Sequence, residues 1–319
     1  MKRVLAIGVA LAVAALAACG DGGSSSAKEG GQQTLTFAAS TPLQWPHVWV
    51  SEKADLWKDS DVRAKVTLFQ DGAQALQSLT SGAVDVATAA PTPLVAAINS
   101  GQKIRVIGVT DRWSKWRVVG NRSKGVSQPS DLRGKKVGVP LGTAAEASFN
   151  KFLQQNNLSA GDMKVINVAP PNIASALKTG SVDAVVVWVP HIVNAERSIG
   201  KDAVSFPYEF SSNYLLVTTQ DVLDKKKAQL SSLLKVFGQA NDMLANDPAK
   251  AAGMVTEVAG IDAATLEDIW SNEFTFDVVA PDAKVREEFE TNIQFAKSKG
   301  TIPKDATIDL DAVLVDLTK

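Results

Sequence analysis

Leu79-Thr80-Ser81-Gly82-Ala83-Val84-Asp85-Val86 and Leu177-Lys178-Thr179-Gly180-Ser181-Val182-Asp183-Ala184 read as two versions of one stretch, Gly180 standing 98 positions after Gly82. Each closes an apolar helical pattern with glycine and opens a short apolar strand, so one helix-to-strand unit is used twice. The spacing is too wide for a solenoid repeat. It points instead to two α/β lobes with a cleft between them, the kind of place where ligands bind.

Outward from the two copies, strand-length apolar runs alternate with helical patterns. Strands are predicted over 34–39, 64–69, 84–88, 104–110, 136–139, 163–168 and 184–188. Helices over 46–59, 73–81, 93–100, 144–156 and 172–179 fall between most of them, which gives βαβ units and mostly parallel sheets. Beyond residue 189 the pattern changes. A strand at 214–218 is followed by a helix over 222–246 that puts Leu223, Leu230, Leu233, Leu234, Phe237 and Leu244 on one stripe. Further helices are predicted over 248–259, 263–270, 283–299 and 311–317. Helices without new strands build no third α/β lobe, so this tail is expected to pack on the first. The chain then crosses between lobes near 111–119 and again near 206–213, and two crossings make a hinge. Lobe 1 is accordingly 34–112 plus 214–319, and lobe 2 is 113–213.

Met1-Lys2-Arg3 is a short cationic start, and the apolar run 4–18 is long enough for a signal peptide but short of the roughly 20 residues a spanning helix needs. Leu16-Ala17-Ala18-Cys19 looks like a bacterial lipobox, in which the thiol takes a diacylglycerol and becomes the mature N-terminus. Cys19 is the only cysteine, and Gly20-Asp21-Gly22-Gly23-Ser24-Ser25-Ser26 follows it as a linker. Residues 1–18 thus read as a lipoprotein signal peptide and 19–33 as lipidated Cys19 with a flexible tether, against the plainer reading of an ordinary secretory signal. The expected location is the extracytoplasmic face of the cell membrane, held there by acyl chains. Without Lys2 and Arg3, 31 basic residues face 34 acidic ones, a formal charge near −3. That leaves no basic footprint for nucleic acid. Disulfides play no part, so stability comes from burial.

In open α/β sheets ligands sit outside the carboxyl ends of strands, where loops lead into helix N-termini. Four such places recur, at 40–45, 71–73, 88–92 and 141–145. Each offers unpaired N–H groups and the positive end of a helix dipole, worth about 0.3–1 kcal/mol per anion at an exposed site. Ser40, Gln44, Trp45, Gly72, Thr88, Ala89, Ala90, Gly142, Thr143 and Ala144 are the candidate ligand contacts from these loops, the small ones admitting close approach to the backbone. The bland alternative is ordinary capping, with Thr92 as an N-cap before Pro93 and Thr143-Ala144-Ala145-Glu146 as a capping box. Trp188 completes the set: in the register of the duplicated stretch it takes the place of Ala90, an aromatic wall facing a small residue. Its competing reading is a core tryptophan. Trp49, Trp57, Trp113, Trp116 and Trp270 read as packing. Asp85 and Asp183 recur just after the helix-closing glycine, at the strand end opposite the ligand loops, where a carboxylate accepts backbone N–H bonds rather than catalysing. His47 and His191 have no Cys or acidic cluster at metal spacing around them, so no metal or other cofactor is expected.

Phe69-Gln70-Asp71-Gly72-Ala73 leading into 79–85, then Gly101-Gln102-Lys103-Ile104-Arg105-Val106-Ile107, is similar to substrate-binding proteins of ABC importers for nitrate, aliphatic sulfonates and taurine, a group that includes thiamine-precursor binders. Asp131-Leu132-Arg133-Gly134-Lys135-Lys136-Val137-Gly138-Val139, then Gly142-Thr143 and Gly180 through Trp188-Val189-Pro190, resembles the same family's second lobe. The resemblance implies a type II periplasmic-binding-protein fold that closes on a small-molecule ligand and hands it to a permease with its ATPase, working as a monomer and not as an enzyme. Few charges in the candidate loops favour a small organic anion, sulfonate, nitrate or taurine-like, with any organic tail against Trp188. The same loops with Trp45 also suit an aromatic heterocycle such as a pyrimidine or flavin precursor. An enzyme on this fold, for instance a pyrimidine synthase relative, is disfavoured because that group carries a cysteine-rich motif. A protein-binding sensor domain is the third reading.

Overall fold

The computed structural model describes residues 32–318, so Cys19, the signal peptide and most of the tether lie outside the described residues. The first lobe opens with β1 (Gln33–Ala39), α1 (Pro46–Lys53), β2 (Val62–Leu68), α2 (Gly72–Thr80), β3 (Val86–Ala89), α3 (Pro91–Asn99) and β4 (Ile104–Trp113). Residues 114–116 cross to the second lobe. There β5 (Arg117–Asn121), β6 (Lys136–Val139), α4 (Ala144–Gln155), β7 (Lys164–Asn167), α5 (Ile173–Thr179), β8 (Ala184–Val185), α6 (His191–Ile199) and β9 (Ala203–Pro207) follow. Residues 208–211 return the chain to β10 (Ser212–Thr219), α7 (Gln220–Asn246), α8 (Pro248–Ala259), α9 (Ala263–Glu273), β11 (Phe274–Val279), α10 (Ala283–Lys299) and α11 (Leu310–Val313).

The two sheets are built alike. One runs β11-β4-β10-β3-β1-β2 and the other β7-β6-β8-β5-β9. In each, two strands pair parallel with a central one, β2 and β3 with β1, β7 and β8 with β6. The strand that arrives through the hinge, β10 or β5, then inserts antiparallel beside the third. Each lobe is therefore completed by a strand from the far side of a crossing, which ties closure of the lobes to both links at once. The sheets are mixed rather than mostly parallel, because local patterning cannot reveal the direction of the arriving strand.

The duplicated stretch does one job twice. Asp85 Oδ2 accepts from Thr36 N at 2.9 Å, and Asp183 Oδ2 accepts from Lys136 N at 2.9 Å, each tying the start of the third strand to the first. Gly82 and Gly180 sit at φ 77° and 74°, the left-handed region that a helix-closing residue needs and that favours glycine. Asp85 also meets Lys226 Nζ at 2.7 Å, where α7 kinks at Lys226.

Several boundaries differ from expectation for identifiable reasons. Helix α1 stops at Lys53 rather than 59 because Asp55 turns to φ 56°. The tail is not strand-free: β11 pairs antiparallel with β4 at the sheet edge and anchors the helical tail to lobe 1. Strands β5 and β9 and helix α6 lie in segments with no predicted element. Among the helices, α7 buries Leu223, Leu230, Leu233, Phe237 and Leu244 as the stripe requires, with Leu234 half-buried.

Buried ionisable groups cluster at the hinge. Glu288 of α10 accepts from Asn213 N at 2.9 Å and Asn213 Nδ2 at 2.5 Å, while Arg112 Nε donates to Asn213 Oδ1 at 2.7 Å and reaches Asp282. Burial pushes the Glu288 carboxyl up from 4.5 to about 7, against the pull of the Asn213 donors and Arg112. A raised carboxyl contributes stability that is complete below its unfolded pKa and lost as pH rises through the folded one. Buried His47 and half-buried His191, both lowered from 6.5 to about 4 by desolvation, have the opposite sign, their contribution being lost as pH falls from 6.5 toward 4. Glu288→Gln removes only the first effect. The variant's unfolding free energy relative to wild type should therefore rise by about 3 kcal/mol between pH 4.5 and 8. Urea unfolding at both pH values checks this, and a pH-independent difference would assign the slope to other groups.

Candidate functional site

The carboxyl ends of β1, β2, β3, β6 and β8 converge on a slot between the lobes. Its lining is Ser40, Gln44, Trp45, Gly72, Ala73, Ala89, Ala90, Pro93, Thr143, Ala144, Trp188 and Tyr214. Nine of the eleven ligand candidates meet there, drawn from five loops and both lobes. Thr88 and Gly142 do not line it. Thr88 is fully buried one residue before Ala89, and Gly142 is exposed at φ 75° with its N–H turned to Glu146 Oε2 at 2.9 Å. Ala73, Pro93 and Tyr214 are additions that the loop argument did not name. A wider depression of about 620 Å³, lined by Lys115, Arg117, Tyr208 and Glu273 among others, lies beside the crossings and shares no lining residue with the slot.

Local sequence explains how each wall is held. Asp71 caps α2, its Oδ1 accepting from Gln74 N at 2.9 Å, which leaves the first-turn N–H groups of Gly72 and Ala73 outside the intrahelical pattern. A side chain at Gly72 would put Cβ 3.3 Å from Ala89 Cα and 3.4 Å from Thr88 O, so glycine lets α2 and β3 approach. Helix α3 begins at Pro91 with Ala90 as N-cap and no side-chain cap, so Thr92 is not the cap expected of it. Its Oγ1 donates to Asn292 Oδ1 at 2.6 Å. Thr143 caps α4 through Ala145 N at 3.2 Å, but Glu146 does not close a capping box. Glu146 instead holds Gly142 N with one oxygen and Lys299 Nζ of α10 with the other, at 3.1 Å, joining the slot loop of lobe 2 to lobe 1.

The aromatic walls differ. Trp45, 3 % exposed, stands edge-on to Tyr214 with ring centroids 5.4 Å apart at 86°, and its Nε1 donates to Ser40 Oγ at 3.1 Å. Tyr214 OH accepts from Gln44 Nε2 at 2.6 Å. Burial, with the charges of Asp111, Glu288 and Glu273 behind it, raises the phenol well above its ordinary range, so it stays a neutral O–H donor. Trp188 is 6 % exposed, edge-on to His191 at 6.2 Å, and its Nε1 is buried with no hydrogen-bond partner among the described residues. A buried indole N–H without an acceptor costs about 1–3 kcal/mol, which an acceptor entering the slot would relieve. Of the remaining tryptophans, Trp57, Trp113, Trp116 and Trp270 are buried in the core. Arg117, beside the first crossing, pairs with Glu196 at 2.8 Å and approaches Glu273 at 3.7 Å.

The cavity measures about 40 Å³, far below the roughly 300 Å³ at the small end of ordinary ligand pockets. In this conformation the slot is smaller than an organic solute. Such an arrangement offers donors and ring faces to a bound molecule.

Comparison with known proteins places these features in context. A family model described as NMT1/THI5 like matches residues 47–251. A putative aliphatic sulfonates-binding protein of Bacillus subtilis is 26 % identical over 308 residues, covering 91 % of this chain and 89 % of its own. The taurine-binding periplasmic protein of Escherichia coli is 28 % identical over 144 residues, 45 % of this chain and 44 % of its own. Among solved structures, the periplasmic aliphatic sulphonate binding protein SsuA of Escherichia coli superposes with a TM-score of 0.75 at 16 % identity, covering 88 % of this chain and 97 % of that one.

Proposed function

The chain belongs to the NMT1/THI5-like family, and from that membership we propose that it is an extracytoplasmic solute-binding protein whose lobes close on a small organic anion of the sulfonate class. The observation that carries the reading is the slot itself. Strand ends from both lobes surround it, the first residues of α2 and α4 line it, and Trp188 brings a buried indole N–H with no described partner. Such a site binds an oxyanion through donors and dipoles and needs no covalent step. The names of the Bacillus and Escherichia coli relatives agree with that chemistry. Delivery to an ABC permease and its ATPase, a monomeric state and a lipid anchor on Cys19 belong to the same proposal, the last on the strength of the Leu16-Ala17-Ala18-Cys19 sequence.

A second reading has its own support. Three aromatic rings, Trp45, Trp188 and Tyr214, line one slot, which suits a flat heterocycle. One experiment with two arms separates these. The purified chain is screened by thermal shift against alkanesulfonates, taurine, nitrate, pyrimidines and flavins, and cells are fractionated with and without Cys19→Ser. Sulfonates should raise the melting temperature, since a ligand at a hundredfold excess over Kd adds about 2.7 kcal/mol to the folded state. Cys19→Ser should leave the membrane fraction. A shift with pyrimidines or flavins alone would select the second reading, turnover of a screened compound would refute a pure binding role, and an unmoved Cys19→Ser variant would remove the anchor.

A further inference from the structure

We infer that the slot selects against solutes carrying a cationic group, taking an amine-free oxyanion in preference to the zwitterion of the same shape. The inference rests on reading this slot as the solute site, and it follows from accounting for each polar group in its walls.

No Asp, Glu, Lys or Arg is among the described lining residues. Each side-chain oxygen in the walls already accepts one donor. Gln44 Oε1 takes the Thr41 hydroxyl at 2.5 Å, Ser40 Oγ takes Trp45 Nε1, and Tyr214 OH takes Gln44 Nε2. Thr143 is used in both directions, donating to Pro140 O at 2.7 Å while accepting from Ala145 N.

The wall groups left with no partner among the described residues are donors. The Ser40 and Tyr214 hydroxyl protons are given to no described residue, the Trp188 indole N–H has no acceptor, and the first turns of α2 and α4 leave N–H groups at Gly72, Ala73 and Ala144. Tyr214 and Trp188 come from opposite lobes, so one acceptor-rich head group placed between them is gripped from both sides on closure.

A ligand ammonium finds no carboxylate there, only the ring faces of Trp45, Trp188 and Tyr214, which hold a cation less well than an ion pair does. The neighbouring carboxylates are committed elsewhere: Asp71 caps α2, and Glu146 holds Gly142 N and Lys299. Asp111, the ladder partner of Tyr214, is not a lining residue, and its Oδ2 accepts from Thr110 Oγ1 at 2.9 Å. Enclosing an unpaired ammonium in such a slot is strongly unfavourable.

Isothermal titration of the purified full chain with two isosteric pairs tests this: 1-propanesulfonate against taurine, and butanoate against β-alanine. Within each pair a methyl replaces an ammonium and the shape is kept. In whichever pair binds, the amine-free member should bind at least about 30-fold tighter. Taurine or β-alanine binding as tightly as its partner, or more tightly, would overturn the selectivity while leaving the sulfonate reading standing. Binding by the carboxylate pair alone would remove the sulfonate reading and still decide the selectivity by its ratio. Failure of all four to bind overturns both.

Discussion

Replacing Trp188 with alanine should weaken solute binding by about 2–4 kcal/mol, roughly 30- to 1,000-fold in Kd, because the change removes both a ring face and a desolvated donor. Trp188→Phe separates the two contributions. It keeps a smaller aromatic face and loses the N–H that has no partner among the described residues together with the five-membered half of the indole, so its loss should be about 1–2 kcal/mol. The same variants decide between site and core. A tryptophan that merely packs would cost 3–5 kcal/mol of stability on truncation to alanine, and the molecules that still fold would bind normally. Titration calorimetry beside urea unfolding reads both quantities. Normal affinity in Trp188→Ala with a large drop in stability would place Trp188 in the core and leave the slot without its lobe 2 anchor.

That Trp188 was legible at all follows from the duplicated stretch. Counting from the two glycines sets Trp188 opposite Ala90, and both line the slot. The shared register also made Asp85 and Asp183 readable as strand-tying carboxylates, since both stand at the strand end away from the ligand loops. Loop residues such as Ser40, Trp45, Gly72 and Ala144 were reachable from one rule, that ligands gather where parallel strands end and helices begin.

Tyr214 escaped that rule for a physical reason. It opens β10, and because β10 runs antiparallel to β3, its N-terminal end lies where the carboxyl ends of β1–β3 lie. Strand direction is a tertiary property and leaves no local trace. The same limit hid β11, whose Phe274-Thr-Phe-Asp-Val-Val alternates as a strand should but is flanked by strong helical patterns and is fixed only by pairing with β4. Gly142 stands outside the slot lining for a different reason. Its loop does reach the slot, but Glu146 claims its N–H.

The hinge offers the second large effect. Trp113, fully buried at the end of β4, packs against Trp116 with ring centroids 4.5 Å apart and against Phe274 at 6.3 Å, and its Nε1 donates to Glu273 Oε2 at 2.9 Å. Trp116 Nε1 in turn donates to Ser212 Oγ at 3.2 Å, so this pair of indoles clasps both crossings and the end of α9. Trp113→Ala opens a cavity there and removes a donor from a carboxylate whose other oxygen faces Arg117 Nη1 at 3.7 Å. The expected cost is about 3–5 kcal/mol, a large share of the 5–15 kcal/mol typical of a folded chain. Since the cavity sits between the two links, the closed arrangement of the lobes should lose more than either lobe alone, and affinity should fall together with stability. Urea unfolding with and without saturating solute tests the coupling. If the variant loses stability but the solute stabilises it as much as it does wild type, the indoles hold the fold and have no part in closure.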